Sequence, residues 1–141
     1  MSKETGAAAR PEAPVMGKDL SGLSTAFALP ENSVLLMTAD RIGRGDDELG
    51  RVLVKSFLYT LSQADVIPKT IIFLNSGVHL PCEDSETLQS LLALEERGVE
   101  ILSCGTCLDF YKQKEKLVAG KVSNMYAIVD MLTRSTHVVT L

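Results

Sequence analysis

Thr70-Ile71-Ile72-Phe73-Leu74-Asn75-Ser76-Gly77 is the stretch on which the architecture turns. It opens as an unbroken β-branched and apolar run of strand length and stops at residues that favour a turn. A strand with one wet face alternates apolar and polar residues. An unbroken run marks a strand covered on both faces, the condition of a parallel sheet flanked by helices.

Working outward, the same grammar repeats. Val34-Leu35-Leu36-Met37 is a second continuous apolar run, followed by the polar, glycine-bearing segment from Ala39 to Asp47. Leu49, Val52, Leu53, Phe57 and Leu61 recur at helical spacing, with Asp46, Asp47 and Glu48 at the end where a helix favours negative charge. This predicts a helix to about Ala64. Downstream, Asp84 or Ser85 is placed to cap a helix carrying Leu88, Leu91, Leu92 and Glu95, and Gly98 stands where a helix stops. Val99 to Leu102 reads as a third strand. Asp109 to Lys121 has no clear pattern; Ser123 is then placed to cap a helix with Met125, Ile128, Val129 and Leu132, and Thr136 to Thr140 closes as a strand. The expected order is β-α-β-α-β-α-β: an α/β fold of three layers, with a mostly parallel sheet flanked by helices.

The first part of the chain differs. Residues 1–32 carry Pro11, Pro14 and Pro30 among Gly, Ala and Ser without sustained periodicity, the composition of a flexible leader. The folded domain is expected over residues 33–141, and a chain of 141 residues suits one such domain. A formal charge of −4, with no basic cluster interleaved with aromatics, argues against nucleic acid as a partner. No apolar run is long enough to span a bilayer and no secretory signal is visible, so a cytoplasmic protein with no membrane association is expected. In that compartment thiols stay reduced, and an odd count of three cysteines does not build a disulfide framework.

In parallel sheets, ligand sites lie beyond the carboxyl ends of the strands. Three segments are expected on that edge: Asp40 to Asp47, Asn75 to Glu83, and Ser103 to Cys107. The last two hold all the cysteines. Cys104-Gly105-Thr106-Cys107 follows a strand and opens a helical turn, a setting that stabilises a thiolate, the form that attacks sulfur. Cys104 and Cys107 are therefore the candidate catalytic residues, with Cys82 as a candidate accessory thiol. The same spacing serves thiol–disulfide exchange, although neither a neighbouring tryptophan nor a following proline-led strand accompanies it here. His79, Cys82, Cys104 and Cys107 also form a formal zinc set, which would make a zinc-stabilised interaction module with no catalysis. Gly43-Arg44-Gly45 lacks the remaining features of a dinucleotide or phosphate loop, so it reads as a turn and no cofactor is expected. An anion-binding regulator is its functional alternative. Asp46, Asp47 and Glu48 read as a solvated helix start rather than a carboxylate catalyst.

Leu36-Met37-Thr38-Ala39-Asp40-Arg41-Ile42-Gly43-Arg44-Gly45, Phe73 to Val78, the run from Glu96 through Cys104-Gly105-Thr106-Cys107-Leu108-Asp109-Phe110-Tyr111, and Val122-Ser123-Asn124-Met125-Tyr126 resemble the DsrE-like domain of YedF-type proteins, described as sulfurtransferase-like proteins of selenium metabolism. The likeness runs from about Ser33 to Leu141. It implies a parallel-sheet fold of the DsrE/DsrF superfamily, homo- or hetero-oligomers, and sulfur carried as a cysteine persulfide on the cysteine after the third strand, here Cys104. It also implies sulfur donor and acceptor proteins as partners. YedF-type proteins usually carry an N-terminal TusA-like domain with a C-P-x-P motif. Residues 1–32 hold no cysteine, so such a partner is expected to act in trans. The resulting expectation is a sulfur relay in which Cys104 accepts sulfane sulfur and Cys107 assists transfer or resolves the intermediate.

Overall fold

The computed structural model describes residues 32–141. The expected leader, apart from Asn32, lies outside the described residues. Five strands form one sheet in the order β4-β3-β2-β1-β5. They are β1 (Ser33–Met37), β2 (Thr70–Phe73), β3 (Glu100–Cys104), β4 (Lys121–Ser123) and β5 (His137–Thr140), and every neighbouring pair is parallel. Four helices connect them: α1 (Asp47–Gln63), α2 (Leu88–Glu96), the short α3 (Gly105–Phe110) and α4 (Met125–Arg134). Single turns of 3₁₀ helix at Asn75–His79 and Lys114–Lys116 complete the chain. The expected three-layer α/β class with a parallel sheet is the one observed.

Period-two alternation divides the strand side chains between two cores. Leu35, Met37, Ile71, Phe73 and Ile101 face α1 and α2, packing on Val54, Leu58, Leu91 and Leu94. Val34, Ile72, Leu102 and Cys104 face α4 and its buried Ile128. Each aliphatic side chain so enclosed contributes about 1.5–3 kcal/mol of transfer free energy. β2 is buried along its whole length, which is why its sequence is apolar without interruption.

The sequence reading needs four corrections. A fifth strand, β4, lies in the segment that had no clear pattern; with three residues including Lys121 it has no periodicity of its own and exists by pairing Leu102 with Lys121 and Cys104 with Ser123. β3 continues to Cys104 rather than ending at Leu102. The cap of α4 is Asn124, whose side chain accepts from Ala127 N at 2.9 Å, not Ser123. Neither Asp84 nor Ser85 caps α2: Asp84 is in the left-handed region at φ 69°, and Ser85 Oγ accepts from Thr87 N at 3.2 Å, ordering the turn before the helix. The expected stop at Gly98 holds. With φ 98° it lets Gly98 N donate to Glu95 O and Val99 N to Leu94 O, the paired bonds of a Schellman ending.

Ser103 is fully enclosed, and its Oγ is the one buried side-chain polar atom among the described residues without a hydrogen-bond partner. A hydroxyl in that state costs its desolvation with no compensating bond. Ser103→Ala is therefore expected to leave stability unchanged or raise it by about 1 kcal/mol, read from the denaturant midpoint. A clear loss would show that the hydroxyl has a stabilising partner after all.

Candidate thiol site

The loops beyond β1, β2 and β3 converge as expected. Asp40 N donates to Ser76 Oγ at 3.1 Å, joining the first loop to the second. Asn75 N donates to Cys107 Sγ at 3.1 Å, joining the second to the third. This last bond arises from backbone geometry. Leu74 ends β2 by donating to Met37 O, and the chain then enters the 3₁₀ turn, whose first N–H groups have no partner within the turn. Asn75 is left-handed at φ 52°, a conformation that asparagine tolerates better than most residues. Its side chain is held in turn, since Tyr111 hydroxyl donates to Asn75 Oδ1 at 2.9 Å. The Tyr111 ring rests edge-on against His79 with centroids 4.6 Å apart.

The two candidate cysteines have different surroundings. Cys104, the last residue of β3, points into the α4 core and is 1% exposed. Cys107, one turn later on α3, is half-buried and packs against both cores, at the rim where the two faces of the sheet meet. Burial pushes the Cys107 thiol above its ordinary pKa, the Asn75 N–H pulls it down, and the neighbouring Cys104 thiol pushes it up again. Both are free thiols. Next to them on α3, Phe110 is 75% exposed.

Cys82 is placed elsewhere. It is buried, with Sγ donating to Val78 O at 3.1 Å and lying 3.8 Å from Gln113 O, and burial raises its pKa. It acts there as a small core residue that ties the 3₁₀ turn to the segment after α3. The four residues of the formal zinc set are not gathered. His79 lies against Tyr111, Cys82 turns to backbone carbonyls, and among the described residues no three His, Cys, Asp or Glu side chains converge as metal ligands would. The Gly43–Gly45 segment is an exposed turn, with Gly43 at φ 93°. Arg41 beside it is engaged by Asp40 at 2.8 Å and Asp47 at 3.0 Å, and Asp46 caps α1 by accepting from Leu49 N. These carboxylates serve the helix start, as read from the sequence.

Asn75 and Tyr111 are the site residues that sequence reasoning missed. The signal for Tyr111 was present: four residues after Cys107, it falls on the same side of a helical turn. Asn75 was read only as a turn former. Its role depends on a contact between segments 32 residues apart, which no local pattern reports.

No family model matches the chain, and no match was found among the curated proteins. Solved structures share its fold. The YchN protein of E. coli superposes with a TM-score of 0.53 at 12% identity, covering 77% of this chain and 98% of its own. MTH1491, a protein of unknown function from Methanobacterium thermoautotrophicum, gives 0.56 at 18% identity over 77% of this chain and 97% of its own. BT1422 from Bacteroides thetaiotaomicron, also of unknown function, gives 0.54 at 12% identity over 78% and 95%. The likeness is one of fold.

Proposed function

We propose that the protein is a sulfur carrier that holds sulfane sulfur as a cysteine persulfide at the Cys104/Cys107 pair and relays it between partner proteins. The observation that carries this reading is a half-buried thiol, Cys107, accepting a backbone N–H at the carboxyl edge of the sheet, one turn from a second, enclosed thiol. The sequence resemblance to YedF-type DsrE-like domains adds the class of chemistry. On that basis the protein works in the cytoplasm as an oligomer, with a TusA-like protein as partner in trans and a link to selenium metabolism. A thiol–disulfide oxidant is less well supported. Strong oxidants of that kind lower the pKa of their accessible cysteine, whereas burial raises that of Cys107.

Incubation with a small persulfide donor followed by intact mass measurement tests the reading. The wild-type chain is expected to gain one sulfur, removable by a thiol reductant, and a variant with Cys104 and Cys107 both changed to serine is expected to gain none. Equal gain by the double variant would assign the sulfur to Cys82 or to non-specific uptake and end the proposal.

A further inference from the structure

We infer that Cys107, rather than Cys104, is the thiol that receives and carries the sulfur, that Cys104 resolves the loaded form, and that Asn75 and Tyr111 position the carrier. This rests on the sulfur-carrier reading and divides the labour within it. Resemblance alone points to the cysteine at the end of the third strand. The geometry points one turn further on. Attack on a donor requires a collinear approach of donor sulfur to thiolate, and Cys104 is closed off by Val34, Ile72, Leu102 and Ile128. Cys107 is open at the rim of the sheet and is the sulfur at which a fixed N–H donor points. An oriented N–H favours the anionic form of its acceptor, so it stabilises the thiolate before attack and again when the thiolate is regenerated as leaving group.

Cys107 thiolate attacks the terminal sulfur of a donor persulfide R–S–SH; the Cys107 S–S bond forms, the donor S–S bond breaks, and R–S⁻ departs and takes a proton from water. An acceptor thiolate attacking the terminal sulfur of loaded Cys107 reverses this pattern and returns Cys107 as thiolate. Without an acceptor, Cys104 as thiolate attacks Cys107 Sγ, the Cys104–Cys107 disulfide forms, and hydrosulfide leaves. Two electrons from a dithiol reductant then restore both thiols.

Asn75 and Tyr111 are positioning residues. The Tyr111 hydroxyl holds Asn75 Oδ1, and Asn75 holds a left-handed backbone that aims its own N–H at the sulfur. The groups bearing on Cys107 are this N–H and the Cys104 thiol from β3. Behind the N–H stand the Tyr111 hydroxyl and the His79 ring. Asp109 on the same helix is engaged by Lys114 at 3.1 Å. Among the described residues no charged side chain acts on the thiol.

Trypsin releases both cysteines on one peptide, Gly98–Lys112, so the assignment is made with variants. In the donor assay, Cys107→Ser is expected to take up no sulfur, whereas Cys104→Ser takes up sulfur and holds it longer, with little hydrosulfide released. Uptake by Cys107→Ser together with loss in Cys104→Ser would overturn the inference while leaving the carrier reading intact; absence of uptake by the wild type would overturn both. A second measurement stands apart from sulfur uptake. Iodoacetamide at limiting amount is expected to modify Cys107 before Cys104, located by fragmentation of the shared peptide, and preferential modification of Cys104 counts against the inference. The rate at Cys107 should climb with pH through and beyond the ordinary thiol range, since its pKa is raised. Tyr111→Phe and Asn75→Gly, which keep the ring or the left-handed backbone, are each expected to slow it about threefold to tenfold near neutral pH and to converge with wild type at high pH. Mere loosening would speed modification at every pH, and that result would remove Asn75 and Tyr111 from the assignment.

Discussion

Replacing Phe73 by alanine should lower stability by about 3–5 kcal/mol, the range for emptying a large aromatic position in a closed core. Phe73 is fully buried at the end of β2, among the residues facing α1 and α2, with β1 and β3 on either side. A domain of this size is stable by only roughly 5–15 kcal/mol in total, so the variant is expected to fold marginally or not at all at physiological temperature. The denaturant midpoint and thermal transition measure it. Phe73→Leu, which keeps most of the volume, should recover most of the loss. A loss below about 1 kcal/mol in the alanine variant would mean that the core collapses around the gap and is less tightly packed than described.

The second large effect is expected at Gly120, where alanine should cost roughly 2–5 kcal/mol. Two independent penalties combine there. The residue has φ 75°, which disfavours any side chain, and an added Cβ would fall onto the carbonyl and side chain of Ile101 on the adjacent strand. The only escape is for the segment to move away from β3, which breaks the pairing of β4 and the bond from Gly120 N to Glu95 Oε2. Faster amide exchange confined to Lys121–Ser123 and the facing residues of β3, together with a lowered midpoint, is the expected signature. An unchanged midpoint would show that the edge tolerates displacement without cost.

These two positions mark what the sequence could and could not disclose. Phe73 lies in an apolar run whose burial on both faces is legible from the run itself, and the same holds for Val34 to Met37. The acidic start of α1 at Asp46 to Glu48 and the end of α2 at Gly98 were equally legible, since both follow from local backbone needs. β4 was not, because its residues form a strand only by borrowing the hydrogen-bonding edge of β3, and Gly120 looks like any loop glycine until Ile101 is placed beside it. At the candidate site, the spacing of Cys104 and Cys107 was enough to place two neighbouring thiols at the carboxyl edge of the sheet. Which thiol is open was hidden, because it depends on β3 extending through Cys104 and turning that side chain toward α4. The zinc set failed for a similar reason: spacing along the chain says which residues share a loop, not where each side chain points.

The connection from β4 to β5 has a consequence for how the molecule is made. α4 carries the chain from one edge of the sheet to the other, so among the described residues the face bearing Val34, Ile72, Leu102 and Cys104 is covered by the last helix. During synthesis the earlier elements emerge first. For that interval the described part of the nascent sheet presents a greasy face with a reduced sulfur in it, which α4 later covers. Solvent access to Cys104 therefore ends with the arrival of a single helix, whereas Cys107, at the rim of the sheet, stays half-buried in the finished fold.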